Sequence, residues 1–287
     1  MVSLLPQIVL DADRTIYQLL SQLHGNWFLD RWMIFQETNV LFKSGIFISL
    51  YVYFWFRPEP NQETRRRAIL SIMLGTIGAL VMSRIISNLL AFRVRPLDDA
   101  TLGFHPLSVS LPEDFVSWSA FPSDHAAYLG ALGFGLICLS SRLTIPIAAY
   151  MVGWICLPRL YLGIHYTSDI VAGLAIGVAI VLGALRIRLV HSTLAGSIMT
   201  VVRVRPQVFY TIAFLAMYEM AALFWDIRGP VVSLIQSSTV GHHSQFIRKG
   251  ILVSVIICAI AALTLRLFRP ILLFGFVHRQ RRTTAAK

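Results

Sequence analysis

The stretch from Ile170 to Leu185, IVAGLAIGVAIVLGAL, contains no charged or polar side chain. Six further predominantly apolar runs occupy residues 40–56, 68–83, 126–141, 143–157, 208–225 and 250–265. A helix that crosses the bilayer core needs about 20 residues, and flanking Arg, Tyr and Trp side chains can extend a run that is slightly short. The sequence therefore predicts an all-α fold, a polytopic bundle of membrane helices.

The overall composition favours the same fold class. Hydrophobic residues make up 56% of the 287 residues and charged residues only 14%, whereas a soluble domain carries about 25% charged residues. A soluble all-helical protein is disfavoured, because so many helices that are apolar all round would leave little polar surface for water. The net charge of +11 would also suit a nucleic-acid-binding protein. The basic residues, however, fall in alternate connections between the apolar runs, so we expect cytoplasmic loops, contact with anionic membrane lipids and no nucleic acid.

The hydropathy pattern divides the chain into three segments. Residues 1–38 are predicted to be an amphipathic lead-in that lies on the membrane surface, with an apolar face and aromatic anchors at Leu19, Leu20, Leu23, Trp27, Phe28 and Trp32. Residues 39–190 are predicted to form a core of five spans, and residues 191–287 two extra C-terminal spans with a basic cytoplasmic tail. If the basic connections are cytoplasmic, residues 93–125 and 158–169 both lie on the outer face.

Polar residues on that outer face concentrate in three short stretches, at residues 92–96 (FRVRP), 121–125 (FPSDH) and 159–169 (RLYLGIHYTSD). Arg95 and Arg159 offer forked donors that suit phosphate oxygens. Ser123 and the backbone N–H groups that follow it open a helix, and a helix N-terminus favours an anion. The combination predicts a phosphate-binding site.

Two histidines in these stretches, His125 and His165, can act as nucleophile or proton donor. Asp169 follows His165 by four residues, so in a helical turn its carboxylate would reach one ring nitrogen and leave the other able to attack. Each polar residue also has a structural alternative: Ser123 and Asp169 could simply cap helices, and Arg93 could anchor to lipid headgroups. Asp124 could bond locally at its helix start or tune His125.

Together these residues resemble the type 2 phosphatidic acid phosphatase superfamily, which also includes bacterial undecaprenyl-diphosphate phosphatases and vanadium haloperoxidases. The motifs of that family are Lys-x6-Arg-Pro, Pro-Ser-Gly-His and Ser-Arg-x5-His-x3-Asp. This chain matches them in order, with Arg95-Pro96, then residues 122–125 with Asp124 in place of Gly, then Arg159, His165 and Asp169. The resemblance covers residues 10–190, and the Pro-Ser-Asp-His form is similar to the undecaprenyl-diphosphate phosphatase branch.

The chain departs from the family pattern at two positions. The family Lys falls on Asn88, which can donate a hydrogen bond but carries no charge. Arg93 or Arg84 could provide the missing charge, and the sequence does not choose between them. The Ser before the third-motif Arg is Pro158 here, so one hydroxyl contact to phosphate is expected to be absent.

The resemblance implies a role for each matching residue. His165 would attack phosphorus and become a phosphohistidine, Asp169 would orient it, and His125 would protonate the leaving oxygen and then activate water. The phosphate oxygens would be held by Arg95, Ser123, Asp124 and Arg159, with Asn88 and Arg93 as further candidates. No cofactor and no metal ion is implied.

The expected function is that of a membrane lipid phosphatase, with undecaprenyl diphosphate as the expected substrate. Phosphatidic acid, phosphatidylglycerophosphate and lipid A remain alternative substrates, and a lipid phosphotransferase is an alternative reaction. A transporter is disfavoured because the charged residues concentrate at one end of the spans, and a vanadate-dependent peroxidase is a more remote alternative. We expect the bacterial cytoplasmic membrane, with the active site on its extracytoplasmic face; the sequence makes no prediction of oligomeric state.

Overall fold

The computed structural model describes residues 5–102, 107, 108, 119–224 and 226. Every regular element in that part of the chain is helical, which confirms the predicted all-α class. The α-helices are α1 (Gln7–Ser21), α2 (Trp27–Thr38), α3 (Ile46–Phe56), α4 (Gln62–Leu89), α5 (Asp124–Leu139), α6 (Thr144–Tyr150), α7 (Leu157–Tyr161), α8 (Thr167–Arg186), α9 (Ala195–Val204) and α10 (Pro206–Ala221). The predicted seventh span and the basic tail lie outside the described residues.

Three helices in the described ranges are long and apolar enough to cross a membrane: Gln62–Leu89, Ser141–Tyr161 and Thr167–Arg186. Ser141–Tyr161 is a continuous helix in which a π-helical stretch, Met151–Cys156, joins α6 to α7. A fourth candidate is a broken span, in which α2 and the helix Leu41–Phe56 meet at 59°. Helix α5, predicted as a span, has only 16 residues. The predicted count of five core spans therefore stays a prediction.

The N-terminal helix α1 buries three residues with polar groups, Asp13, Tyr17 and Ser21. Its exposed residues are mixed, because Leu19 is more than half exposed and Asp11 and Arg14 are exposed as well. The interfacial position predicted for residues 1–38 therefore stays a prediction. Helix α2 differs from that prediction, because it buries several polar residues and bends into the first predicted span.

Helices α4, α5 and α8 form the centre of the bundle, and α5 lies against α8 at very close range. A Cβ atom at Gly173 would stand 2.3 Å from the carbonyl oxygen of Ser123, and one at Gly177 would stand 2.3 Å from that of Ala127. Glycines allow two helix backbones to approach to this degree. The packing brings the first turn of α5 directly against the first turn of α8, and both turns carry motif residues.

Helix α10 packs on the outside of this centre. The Tyr128 hydroxyl donates to the Met220 carbonyl at 2.6 Å, and the Trp55 indole N–H donates to the Tyr210 hydroxyl at 3.2 Å. The connection between the fifth and sixth predicted spans also contains a helix, Leu189–Val204, which the hydropathy pattern did not predict. The first part of the predicted C-terminal addition therefore packs against the core.

Candidate active site

The three polar stretches meet, and backbone hydrogen bonds join each of them to the other two. The Ala120 N–H donates to the Arg93 carbonyl at 2.9 Å, just before the second stretch. The Leu97 N–H donates to the Gly163 carbonyl at 3.0 Å, and the Ser123 N–H donates to the Asp169 carbonyl at 3.1 Å. These bonds hold together the loops that follow α4 and precede α5 and α8.

A glycine makes the turn before His165 possible. Gly163 has a φ of +67°, a backbone conformation that side chains disfavour. A Cβ atom there would also lie 3.1 Å from the Leu97 N atom and 3.0 Å from the Tyr17 ring. The chain therefore reverses tightly between α7 and α8 and places His165 two residues before the first residue of α8.

The His165 ring is almost fully buried and its Nδ1 atom has a fixed partner. Nδ1 lies 2.9 Å from the carbonyl oxygen of Ala120 and 3.7 Å from Asp169 Oδ2. A carbonyl can only accept, so Nδ1 carries the proton and Nε2 keeps its lone pair. Burial lowers the pKa of His165; the Arg95 charge acts in the same direction, and Asp169 acts against it. His165 is therefore held as a neutral imidazole.

The Asp169 carboxylate is fully buried and has several partners. Its Oδ2 accepts the Tyr166 N–H at 2.8 Å, which caps the start of α8. Its Oδ1 pairs with the Arg93 guanidinium. The predicted capping role is therefore present, and the same carboxylate lies at ion-pair distance from His165. The hydrogen bond that the sequence predicts from the His165 ring to Asp169 is made instead to the Ala120 carbonyl.

The Arg93 side chain binds two carboxylates, those of Asp13 and Asp169. Its guanidinium donates to Asp13 Oδ2 and to Ser168 Oγ, each at 2.7 Å, and also pairs with Asp169. The guanidinium carbon stacks over the Tyr166 ring, 4.1 Å from the ring centroid. Asp13 in turn accepts the Ser168 N–H at 2.9 Å, so a side chain of α1 caps α8. The structure thus places Arg93 beside Asp169, and its predicted phosphate contact stays a prediction.

His125 has a carboxylate partner on the preceding residue. Its Nδ1 lies 2.8 Å from Asp124 Oδ1, which also accepts the His125 N–H at 2.8 Å. The other carboxylate oxygen of Asp124 pairs with Arg84 from α4. Both alternatives for Asp124, local bonding and contact with His125, therefore hold together. The His125 N–H, which the sequence predicts to bind an anion, therefore donates to the Asp124 carboxylate instead.

Three further residues were predicted to bind phosphate: Ser123, Arg95 and Asn88. Ser123 caps α5, with its Oγ accepting the Ala126 N–H at 3.3 Å. The buried Arg95 donates to the Ile164 carbonyl at 3.1 Å, next to His165. Asn88 lies half-buried in the last turn of α4.

Arg159 leads to two residues that the sequence did not single out. Its Nη1 donates to the Ile155 carbonyl at 2.9 Å and its Nη2 to Glu37 Oε1 at 3.1 Å. The same Glu37 oxygen accepts from Lys43 Nζ at 2.9 Å. Glu37 and Lys43 flank the bend between α2 and α3, and both are buried. Their sequence signal was a charge just before the apolar run 40–56 for Glu37 and inside it for Lys43, and a charge within a membrane span often marks a functional position.

Comparisons with known proteins agree with the motif pattern. The PAP2 superfamily model matches residues 40–192. The lipid A 1-phosphatase of Rhizobium etli is 30% identical over 126 residues, which cover 40% of this chain and 52% of that protein. The lipid A 1-phosphatase of Rhizobium johnstonii is 29% identical over 144 residues, which cover 46% of this chain and 57% of that protein. The chain thus spans about half the length of these curated relatives, and no solved structure matches it significantly.

The family model covers more than half of the chain, including all three motif stretches and the two histidines. The resemblance drawn from the motifs is therefore confirmed, and the chain belongs to the PAP2 superfamily.

Proposed function

We propose that this integral membrane protein removes phosphate from a phosphorylated lipid through a phosphohistidine on His165. The observation that carries the proposal is the contact of His165 Nδ1 with the Ala120 carbonyl at 2.9 Å. It leaves Nε2 unprotonated and nucleophilic. The Arg95 guanidinium, held at the neighbouring Ile164 carbonyl, provides positive charge for the phosphoryl oxygens.

The proposed reaction has two steps. In the first, His165 Nε2 attacks phosphorus, an N–P bond forms and the P–O bond to the lipid breaks. His125 is protonated when the anionic phosphate binds and gives this proton to the leaving oxygen, while the Asp124 carboxylate at 2.8 Å stabilises the charged ring. In the second step, water attacks phosphorus, the N–P bond to His165 breaks, His125 takes a proton from the water, and inorganic phosphate leaves. Phosphoryl transfer depends mainly on positioning and charge stabilisation, which suits a site rich in guanidinium groups.

A lipid substrate is supported by the position of the site. The motif stretches lie at one end of α4, α5 and α8, where apolar helices give way to polar loops. A phosphate headgroup can reach that level while its acyl or prenyl chain stays among the helices. Undecaprenyl diphosphate is the first candidate, because the Pro-Ser-Asp-His form is similar to that branch of the family.

Lipid A carrying a 1-phosphate is a second candidate, and a different observation favours it. Both relatives are lipid A 1-phosphatases, and the matches cover about half of each relative. The proposed phosphohistidine chemistry is the same for both substrates, since each presents a terminal phosphoryl group to Nε2. The choice between them depends on the lipid that the outer loops admit.

The proposed location is the bacterial cytoplasmic membrane, with the active site on the extracytoplasmic face. The support is the charge pattern: residues 65–67 near the start of α4 are three arginines, and the motif residues lie beyond its other end. The positive-inside rule assigns the arginine end to the cytoplasm.

A direct assay tests the proposal. Wild type and His165→Ala would be purified in detergent with EDTA and given undecaprenyl diphosphate, lipid A, phosphatidic acid and phosphatidylglycerophosphate. We expect phosphate release by the wild type from at least one lipid and none above background by His165→Ala. Equal release by the two proteins would overturn the mechanism, and a lack of release from every lipid would overturn the function.

A further inference from the structure

The charged groups around the site are unevenly distributed. On the α1 side, Arg93 is shared by two carboxylates, Asp13 and Asp169. On the α2 side, Glu37 is shared by two cations, Lys43 and Arg159, both within 3.1 Å of a single carboxylate oxygen. The first group therefore carries surplus negative charge and the second surplus positive charge. An incoming phosphate would be drawn to the second group.

Lys43 reaches this position from a break in the helical chain. A π-helical turn, Leu41–Gly45, starts α3 after the 59° bend that follows α2. Lys43 Nζ donates to the Glu37 carbonyl at 2.6 Å as well as to its carboxylate. The side chain is buried, and a charge at this depth of a membrane protein is costly unless it has partners or a function.

The Lys43–Glu37–Arg159 group belongs to the reaction site. Arg159 is a third-motif residue, and its carbonyl accepts the Ile164 N–H at 3.0 Å and the His165 N–H at 3.4 Å. Its guanidinium binds the Glu37 carboxylate that also accepts from Lys43. Within the described residues, Glu37 Oε2 is buried and has no hydrogen-bond partner, so this carboxylate is not saturated by protein donors.

The two arginines that could replace the motif lysine are each balanced or outnumbered by carboxylates, whereas Lys43 and Arg159 together outnumber Glu37. Arg84 pairs with Asp124, and Arg93 bonds to Asp13 and Asp169. We propose that Lys43 is a phosphate-binding residue. From the bend between α2 and α3, Lys43 provides the positive charge that is missing at the motif position Asn88. Between turnovers, Glu37 holds the Lys43 ammonium beside Arg159. This inference rests on the proposed function.

The test compares Lys43→Met and Lys43→Arg with wild type, with Ser44→Ala as control. Ser44 is buried at the same bend and donates to the Ala221 carbonyl, but it carries no charge. The readouts are KM for the lipid, the inhibition constant of orthovanadate as a phosphate analogue, and Tm in detergent with and without orthovanadate. A hydrogen bond to a charged group corresponds to roughly 10- to 100-fold in affinity.

We expect Lys43→Met to raise KM and the orthovanadate inhibition constant by roughly 10- to 100-fold, and Lys43→Arg to keep both within about 3-fold. Ser44→Ala should leave both constants unchanged even if it lowers Tm. A folded Lys43→Met protein with a wild-type inhibition constant would overturn the proposal. If wild type hydrolyses no lipid, the proposed function fails, whereas the rise of Tm with orthovanadate still tests Lys43.

A second variant guards against misfolding. If Lys43→Met does not fold because Glu37 loses one of its two cationic partners, the double variant Lys43→Met with Glu37→Gln removes both charges together. We expect this protein to fold and still lose affinity for orthovanadate. Wild-type affinity in the double variant would overturn the proposal.

Discussion

The Nδ1 atom of His165 bonds to the carbonyl oxygen of Ala120 at 2.9 Å, ahead of the Asp169 carboxylate at 3.7 Å. The tautomer of the proposed nucleophile is therefore set by the Ala120 carbonyl, just before the second motif stretch. Asp169 contributes negative charge nearby and caps α8 through the Tyr166 N–H. The Ala120 carbonyl thus orients the ring, and Asp169 stabilises the positive charge that develops on the ring when Nε2 attacks.

Burial of His165 gives a pH dependence of stability. Its folded-state pKa lies below the usual value of about 6.5, so the unfolded chain binds the proton more readily. The free energy of unfolding of wild type, relative to His165→Gln, should therefore fall as pH drops from neutral to about 5. Thermal unfolding of both proteins in detergent at several pH values measures this difference. A difference that stays constant or grows on acidification would contradict the neutral, buried ring.

Loss of Arg93 should be severe, because two buried carboxylates depend on it. Removing one partner of a buried ion pair costs about 3–5 kcal/mol. Arg93→Met should lower Tm strongly and reduce kcat, since Asp169 loses its partner beside His165. The matched control is Arg203→Met, because Arg203 and Glu63 form an exposed pair, and exposed pairs contribute little to stability. Similar Tm values for the two variants would show that the Arg93 network does not support the site.

The close approach of α5 and α8 predicts a sharp difference between two glycines of α8. A Cβ atom at Gly173 would lie 2.3 Å from the Ser123 carbonyl, whereas at Gly183 the nearest atom is 3.7 Å away. Gly173→Ala should destabilise the protein by about 1–3 kcal/mol and lower activity, because it separates the two helix starts. Gly183→Ala should leave both unchanged. Unfolding in detergent and phosphate release measure the pair, and a neutral Gly173→Ala would contradict the packing.

Asp124 is expected to act through His125. Loss of the proposed proton donor in His125→Ala should reduce kcat by about 10²–10⁴-fold. Asp124→Asn keeps the shape but weakens support for the charged ring, so we expect a smaller loss, on the order of 10-fold. In the double variant, Asp124→Asn should add no further loss, because residues that act as a unit are not additive. Full additivity would show that Asp124 acts independently of His125.

Much of the site could be predicted from sequence, since the relevant signals are local. Motif spacing identified His125, His165 and Asp169, and hydropathy gave the helical class. The contact of Arg93 with Asp13 joins residues 80 positions apart, and the contact of Arg159 with Glu37 joins residues 122 apart. Neither contact leaves a periodic pattern in the chain, so neither could be predicted from spacing.

Other differences have equally physical causes. A backbone acceptor such as the Ala120 carbonyl has no residue signature, so Asp169 was expected to take the hydrogen bond from His165. Helix α5 ends at Leu139, two residues before its apolar run does, because Ser140 leaves the helical conformation, with φ −155° and ψ 110°. The bend before Lys43 falls at Asn39, which is extended with φ −78° and ψ 103° and lies just before the apolar run 40–56. Hydropathy does not reveal a break of one residue.

The most direct test of the central claim is to trap the phosphoenzyme. Wild type, His125→Ala and His165→Gln would be mixed with a lipid substrate carrying a radiolabelled terminal phosphate and quenched in alkali, which preserves phosphohistidine. We expect acid-labile label on wild type, label that both appears and disappears more slowly on His125→Ala because His125 acts in both steps, and none on His165→Gln. Label that persists on His165→Gln, or turnover by wild type with no labelled protein at any time, would contradict it.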